Sequence, residues 1–60
     1  MSVTHRVLVV DDYEPWRSHV RSVLQSTVEW QIVGEAADGA EAIQKAATLK
    51  PDLILLDVGL

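Results

Sequence analysis

The sequence has no cysteine, which excludes disulfides and cysteine-ligated metal centres and is compatible with a reducing cytoplasm. It also lacks a long apolar run. The longest uninterrupted aliphatic stretches, Val7 to Val10 and Leu53 to Leu56, fall far short of the roughly 20 residues that cross a bilayer or the roughly 7–15 of a signal-peptide core. A soluble, cytoplasmic protein with no membrane partner is the expectation. No basic cluster exists either: Arg6, Arg17, Arg21, Lys45 and Lys50 are scattered through a chain of net charge −4, so nothing offers itself to phosphate backbones and no nucleic-acid partner is expected for this segment. Repeats, linkers and low-complexity segments are absent as well.

What remains is a chain of 60 residues, 48% of them hydrophobic, too apolar to stay disordered. It is one domain at most, and a chain of this length buries only about 60% of the surface that its unfolded form exposes. Arg6-Val7-Leu8-Val9-Val10 is rich in β-branched residues and ends abruptly at Asp11-Asp12, the pattern of a strand buried on both faces. Pro15 stands where a first helical turn accepts proline, and Trp16, Val20, Val23, Leu24 and Thr27 recur at helical spacing, predicting a first helix that reaches about Val28 with one apolar stripe. Trp30 to Gly34 reads as a short edge strand broken by its glycine. Asp38-Gly39 with Glu41 predicts a capped helix start, with Ala42, Ile43, Ala46, Ala47 and Leu49 on the apolar side and an end near Lys50, because Pro51 cannot continue a helix. Leu53 to Leu56 is a third apolar strand, closed by Asp57 before the turn-forming Gly59.

The order β-α-β-α-β predicts an α/β fold, a parallel sheet with helices on both faces. Ligands of such sheets bind beyond the carboxyl ends of the strands, where strand order reverses. With strand order 2-1-3, the first and third strands are neighbours about 4.8 Å apart, which brings Asp11, Asp12 and Asp57 to one pocket. Three crowded carboxylates either retain protons or recruit a cation, and hard oxygen ligands partly open to water favour magnesium. The cation would neutralise the site for an anionic phosphoryl donor, leaving the carboxylate of Asp57 as nucleophile.

Three blocks carry a family resemblance: Val7-Leu8-Val9-Val10-Asp11-Asp12, then Gly34-Glu35-Ala36-Ala37-Asp38-Gly39-Ala40-Glu41-Ala42, then Pro51-Asp52-Leu53-Ile54-Leu55-Leu56-Asp57-Val58-Gly59-Leu60. They resemble the opening blocks of response regulator receiver domains of two-component systems, along the whole chain. The resemblance implies a flavodoxin-like doubly wound sheet and a phosphoacceptor rather than an enzyme, with Asp57 taking its phosphoryl group from a sensor histidine kinase. It further implies that Asp12 and Asp57 ligate Mg2+ through side chains, Gly59 through its carbonyl and Asp11 through water. Receivers also supply a serine or threonine from a fourth strand and a lysine from a fifth, which these residues do not include. Residues 1–60 are therefore expected to be the N-terminal half of a receiver, truncated after the third strand. Weak metal binding, slow or absent phosphorylation and a possible homodimer through the exposed third-strand edge are expected of that half alone.

Blander and rival readings stand beside this one. An Asp-Asp pair after a strand is often only a turn device. Asp38 and Asp52 have structural explanations as a helix cap and a turn residue. His5 and His19 lack any ligand set at metal-site spacing, and Trp16 reads as packing on the apolar face of the first helix. Leu56-Asp57-Val58-Gly59-Leu60 also resembles the nucleophile strand of haloacid-dehalogenase-type phosphotransferases, although their second aspartate falls here on Gly59. A dinucleotide fold would need glycines where Asp11-Asp12 stands. A non-catalytic, self-associating truncated receiver is the remaining alternative.

Overall fold

A computed structural model describes residues 4–56. Three strands and two helices alternate: β1 (His5–Val10), α1 (Glu14–Gln25), β2 (Trp30–Ala36), α2 (Gly39–Leu49) and β3 (Leu53–Leu56). The sheet is parallel, in the order β2-β1-β3, so the α/β architecture and the strand order follow the sequence-based expectation.

β1 is central, and alternation along it divides the core in two. Val7 and Val9 face α1, joining Val20, Leu24, Trp30 and Ile32. Leu8 and Val10 face the other way, joining Ala36, Ala42, Ala46 and Leu49 beneath α2. Val7, Leu8 and Val9 are between 0 and 2% exposed, and each such side chain contributes about 1.5–3 kcal/mol of burial. β3 has no such cover among the described residues: Leu53, Ile54, Leu55 and Leu56 remain 40–58% exposed.

Local chemistry sets the helix ends. α2 opens on the expected cap: the side chain of Asp38 accepts from the Glu41 amide at 2.8 Å, satisfying a donor that helix geometry leaves without a partner. Glu41 reaches back as expected but one residue further than a capping box requires, its Oε1 accepting from the Ala37 amide at 2.7 Å. Lys50 closes α2 in the left-handed region, φ 50°, immediately before Pro51. α1 has Pro15 in its first turn and no side-chain cap from Tyr13. It stops at Gln25, three residues before the expected Val28, because the Ser26 hydroxyl and amide both donate to the Val23 carbonyl and tighten the last turn. Val28 is consequently 90% exposed, and the apolar stripe narrows to Val20 and Leu24, with Val23 turned outward. On α2 the inward residues are Ala42, Ala46 and Leu49, while Ile43 and Ala47 face solvent.

β2 is an edge strand in the described sheet, as its mixed composition suggests, but it does not break at Gly34. The register runs Val7 opposite Ile32 and then Leu8 opposite Gly34, so Val33 is an extra residue, a bulge. One inserted residue flips every later side chain to the other face. Gly34 thus turns toward α2, where a Cβ would lie 2.6 Å from Leu49 Cδ1 and 3.4 Å from Leu8 Cδ1. Close approach, not chain termination, explains this glycine.

Gly34→Ala should therefore destabilise the protein. Overpacking costs about 1–3 kcal/mol, partly offset by about 0.4–1 kcal/mol from a less flexible unfolded chain. A net loss of about 1 kcal/mol is expected in urea midpoints, and it should vanish in a Leu49→Ala background. An unchanged midpoint for Gly34→Ala alone would contradict the packing described.

Candidate functional site

The carboxyl ends of β1 and β3 lie side by side, with Val10 opposite Leu56. Asp11 follows Val10 and is 4% exposed; Asp12 is exposed. The two neighbours thus meet different surroundings, because the chain turns at this point. Asp11 Oδ1 accepts from the Tyr13 amide at 2.7 Å, which bends the backbone into α1 in the manner of an Asx turn, and the Asp11 amide donates to the Ala36 carbonyl at 2.9 Å. The turn-device reading of the pair is therefore correct for Asp11, which is held by the fold on two sides. Asp12 makes no such bond among the described residues and lines the open cleft at this end of the sheet.

Around these acids lies an open cleft of about 300 Å³, lined by Val10, Asp11, Asp12, Ala37, Asp38, Gly39 and Leu56. Its acidic donors are carboxylate oxygens, with no histidine among the lining residues, a donor set suited to a hard cation such as magnesium. No group of three or more histidine, cysteine, aspartate or glutamate residues able to hold a metal occurs among the described residues. Asp57 and Gly59, which the resemblance to receivers implies as further ligands, lie outside the described residues.

On the α1 side a smaller cleft of about 140 Å³ is lined by Val9, Val10, Asp11, Trp16, Leu55 and Leu56. Trp16 does not pack in the cluster beneath α1, as its spacing predicts. It is 44% exposed and lies against His19 with ring centroids 5.4 Å apart. The reason is position: the first turn of α1 reaches past the carboxyl end of the sheet, beside a strand that no described helix covers on that face.

The remaining residues singled out by sequence are structural. Asp38 is the α2 cap. Asp52 extends the β1–β3 pairing at its other end, its Oδ2 accepting from the Arg6 amide at 2.9 Å and its own amide donating to the Arg6 carbonyl at 2.8 Å. His5 lies against Trp30, with centroids 5.1 Å apart. Not foreseen from the sequence is the ion pair between Arg21 on α1 and Glu35 on β2, at 3.0 Å. Its only written signal is a charge beside Gly34 in a strand with no other charged residue, and the bulge that turns Glu35 toward α1 leaves no mark in the spacing.

Comparison with known proteins agrees with this geometry. Residues 7–60 match the response regulator receiver domain. The chain belongs to that family. It is also 50% identical, over 56 residues, to the response regulator protein VraR of Staphylococcus aureus strains Mu3, NCTC 8325 and COL. That match covers 93% of this chain and 27% of each relative, so the receiver chain spans about a quarter of the length of these curated relatives. Membership sets aside the haloacid-dehalogenase and dinucleotide-binding alternatives.

Proposed function

We propose that these residues form the N-terminal half of a phosphoacceptor module, in which Asp57 accepts a phosphoryl group from a sensor histidine kinase at a magnesium site. One observation carries the reading: the parallel register sets Val10 opposite Leu56, and each is followed directly in the chain by an aspartate, Asp11 and Asp57. Neighbouring parallel strands that end together deliver such acids to one mouth. Asp12, exposed at that mouth, is a direct ligand in this proposal; Asp11, buried and held by the turn, orients a water; Gly59 offers its carbonyl. Bound magnesium would supply positive charge to offset the acids and the incoming phosphoryl oxygens. A carboxylate oxygen of Asp57 attacks phosphorus, the phosphorus–nitrogen bond of the donor phosphohistidine breaks, and the imidazole leaves with the bonding electron pair. No helix of the described residues is long and apolar enough to cross a membrane.

Treatment with acetyl phosphate and Mg2+, followed by mass measurement, should add one phosphoryl group at a slow rate. Asp57→Asn should abolish the addition and Asp12→Asn should slow it at least about tenfold, about 1.4 kcal/mol of barrier. Labelling that survives Asp57→Asn would contradict the assignment.

A further inference from the structure

A closed ring of contacts passes through Asp11 at the acidic cleft, and its key member lies on neither acid-bearing strand. Asp11 accepts from the Tyr13 amide at 2.7 Å. Tyr13 leads directly into α1, which carries Arg21 about two turns on. Arg21 Nη1 donates to Glu35 Oε2 at 3.0 Å, and Arg21 Nη2 lies 3.5 Å from Glu14 Oε1 in the first turn of the same helix. Glu35 is bonded to Ala36, whose carbonyl accepts from the Asp11 amide at 2.9 Å, and the ring closes where it began.

The ring exists because of the bulge. Trp30 and Ile32 pack beneath α1, so simple alternation would also place Gly34 and Ala36 there and send Glu35 to the α2 side. The extra residue Val33 reverses this, turning Glu35 toward Arg21 and Ala36 into the core beneath α2. Bulges are uncommon in parallel pairs, and here the inserted residue has an identifiable effect. From the other face Lys45 of α2 donates to the Glu35 carbonyl and lies 3.8 Å from Glu41 Oε2. Residue 35 is thereby held by α1 through its side chain and by α2 through its backbone.

We infer that Arg21 is a positioning residue for the acidic mouth: by pinning Glu35 at the end of an edge strand, it holds the Ala36 carbonyl against the Asp11 amide and so fixes the backbone that aims Asp11 and Asp12. An edge strand has neighbours on one side only, so its end frays unless it is tied. The Arg21–Glu35 pair is half-buried, with side chains 39% and 23% exposed, better sheltered than an ordinary surface pair whose net contribution is close to nothing. Its effect falls on geometry at Asp11 more than on global stability. The inference rests on the proposed magnesium site at Asp11, Asp12 and Asp57, and its test separates the two.

The test uses the full chain and Mg2+ alone, with amide hydrogen exchange read residue by residue and metal affinity read by calorimetry. In Arg21→Gln, exchange at the Asp11 amide should accelerate about tenfold relative to the amides of Leu8 and Val9, and the Mg2+ dissociation constant should rise about three- to tenfold. Glu35→Ala should do the same, the double variant should be no worse than either single one, and Arg21→Lys should recover most of the loss. Lys45→Met, which releases the backbone tie to Glu35 together with the ion pair to Glu41, provides a milder variant should Arg21→Gln fail to fold, with the same selective rise at Asp11 expected. Exchange that accelerates evenly across β1, with unchanged metal affinity, would overturn the inference and leave the magnesium site standing. Wild-type protein that binds no Mg2+, or binds it equally well as Asp12→Asn, would overturn the site reading and this inference together.

Discussion

The structure depends on β1 being paired on both edges and covered on both faces. A parallel strand in that situation cannot slide by one residue without exchanging its two core clusters, Val7 and Val9 for Leu8 and Val10. Its register with β2 and β3 is therefore held by burial on both sides at once. The acids at its end inherit that precision. Asp11 and Asp12 stand where they do because four consecutive aliphatic residues before them are at most 4% exposed, and a site attached to such a strand is more exactly placed than one carried on a loop.

Two adjacent aspartates then divide the work. Asp11 is drawn inward and used by the fold, accepting from the Tyr13 amide and bonding through its backbone to Ala36. Asp12 stays at the surface, where a carboxylate keeps its hydration. The same turn starts α1, so helix, site and sheet end share a few backbone hydrogen bonds. The Asp11 amide also ties this turn to the edge strand β2, where Arg21 of α1 pairs with the Glu35 side chain and Lys45 of α2 donates to the Glu35 carbonyl.

Much of this could be read from the residues alone, for identifiable reasons. β1 and the α2 start were legible because their causes are local: a run of aliphatic residues ended by carboxylates, and a cap with its partner three positions later. The parallel sheet followed from the alternation of strands and helices, while the strand order and the meeting of β1 and β3 were what the resemblance to flavodoxin-like receivers implied. What could not be read depends on contacts distant in sequence. Gly34 looked like a strand end because its partner Leu49 is fifteen residues away. The first helix seemed longer than it is because a periodic pattern cannot register Ser26 bonding back to Val23. Trp16 fits a helical stripe by spacing, yet the stripe at that end has nothing described to pack on. The turn at Asp11-Asp12 was legible, while the burial of Asp11 beside an exposed Asp12 was not.

A crystal structure grown with Mg2+ is the most direct test of the central claim, that neighbouring parallel strands bring their terminal acids to one cation. The account predicts a single ion beyond the carboxyl end of β1, with oxygens of Asp12 and Asp57 at about 2.0–2.1 Å. An Asp57 carboxylate turned away from Asp11 and Asp12, or an ion bound elsewhere with that end left bare, would contradict it.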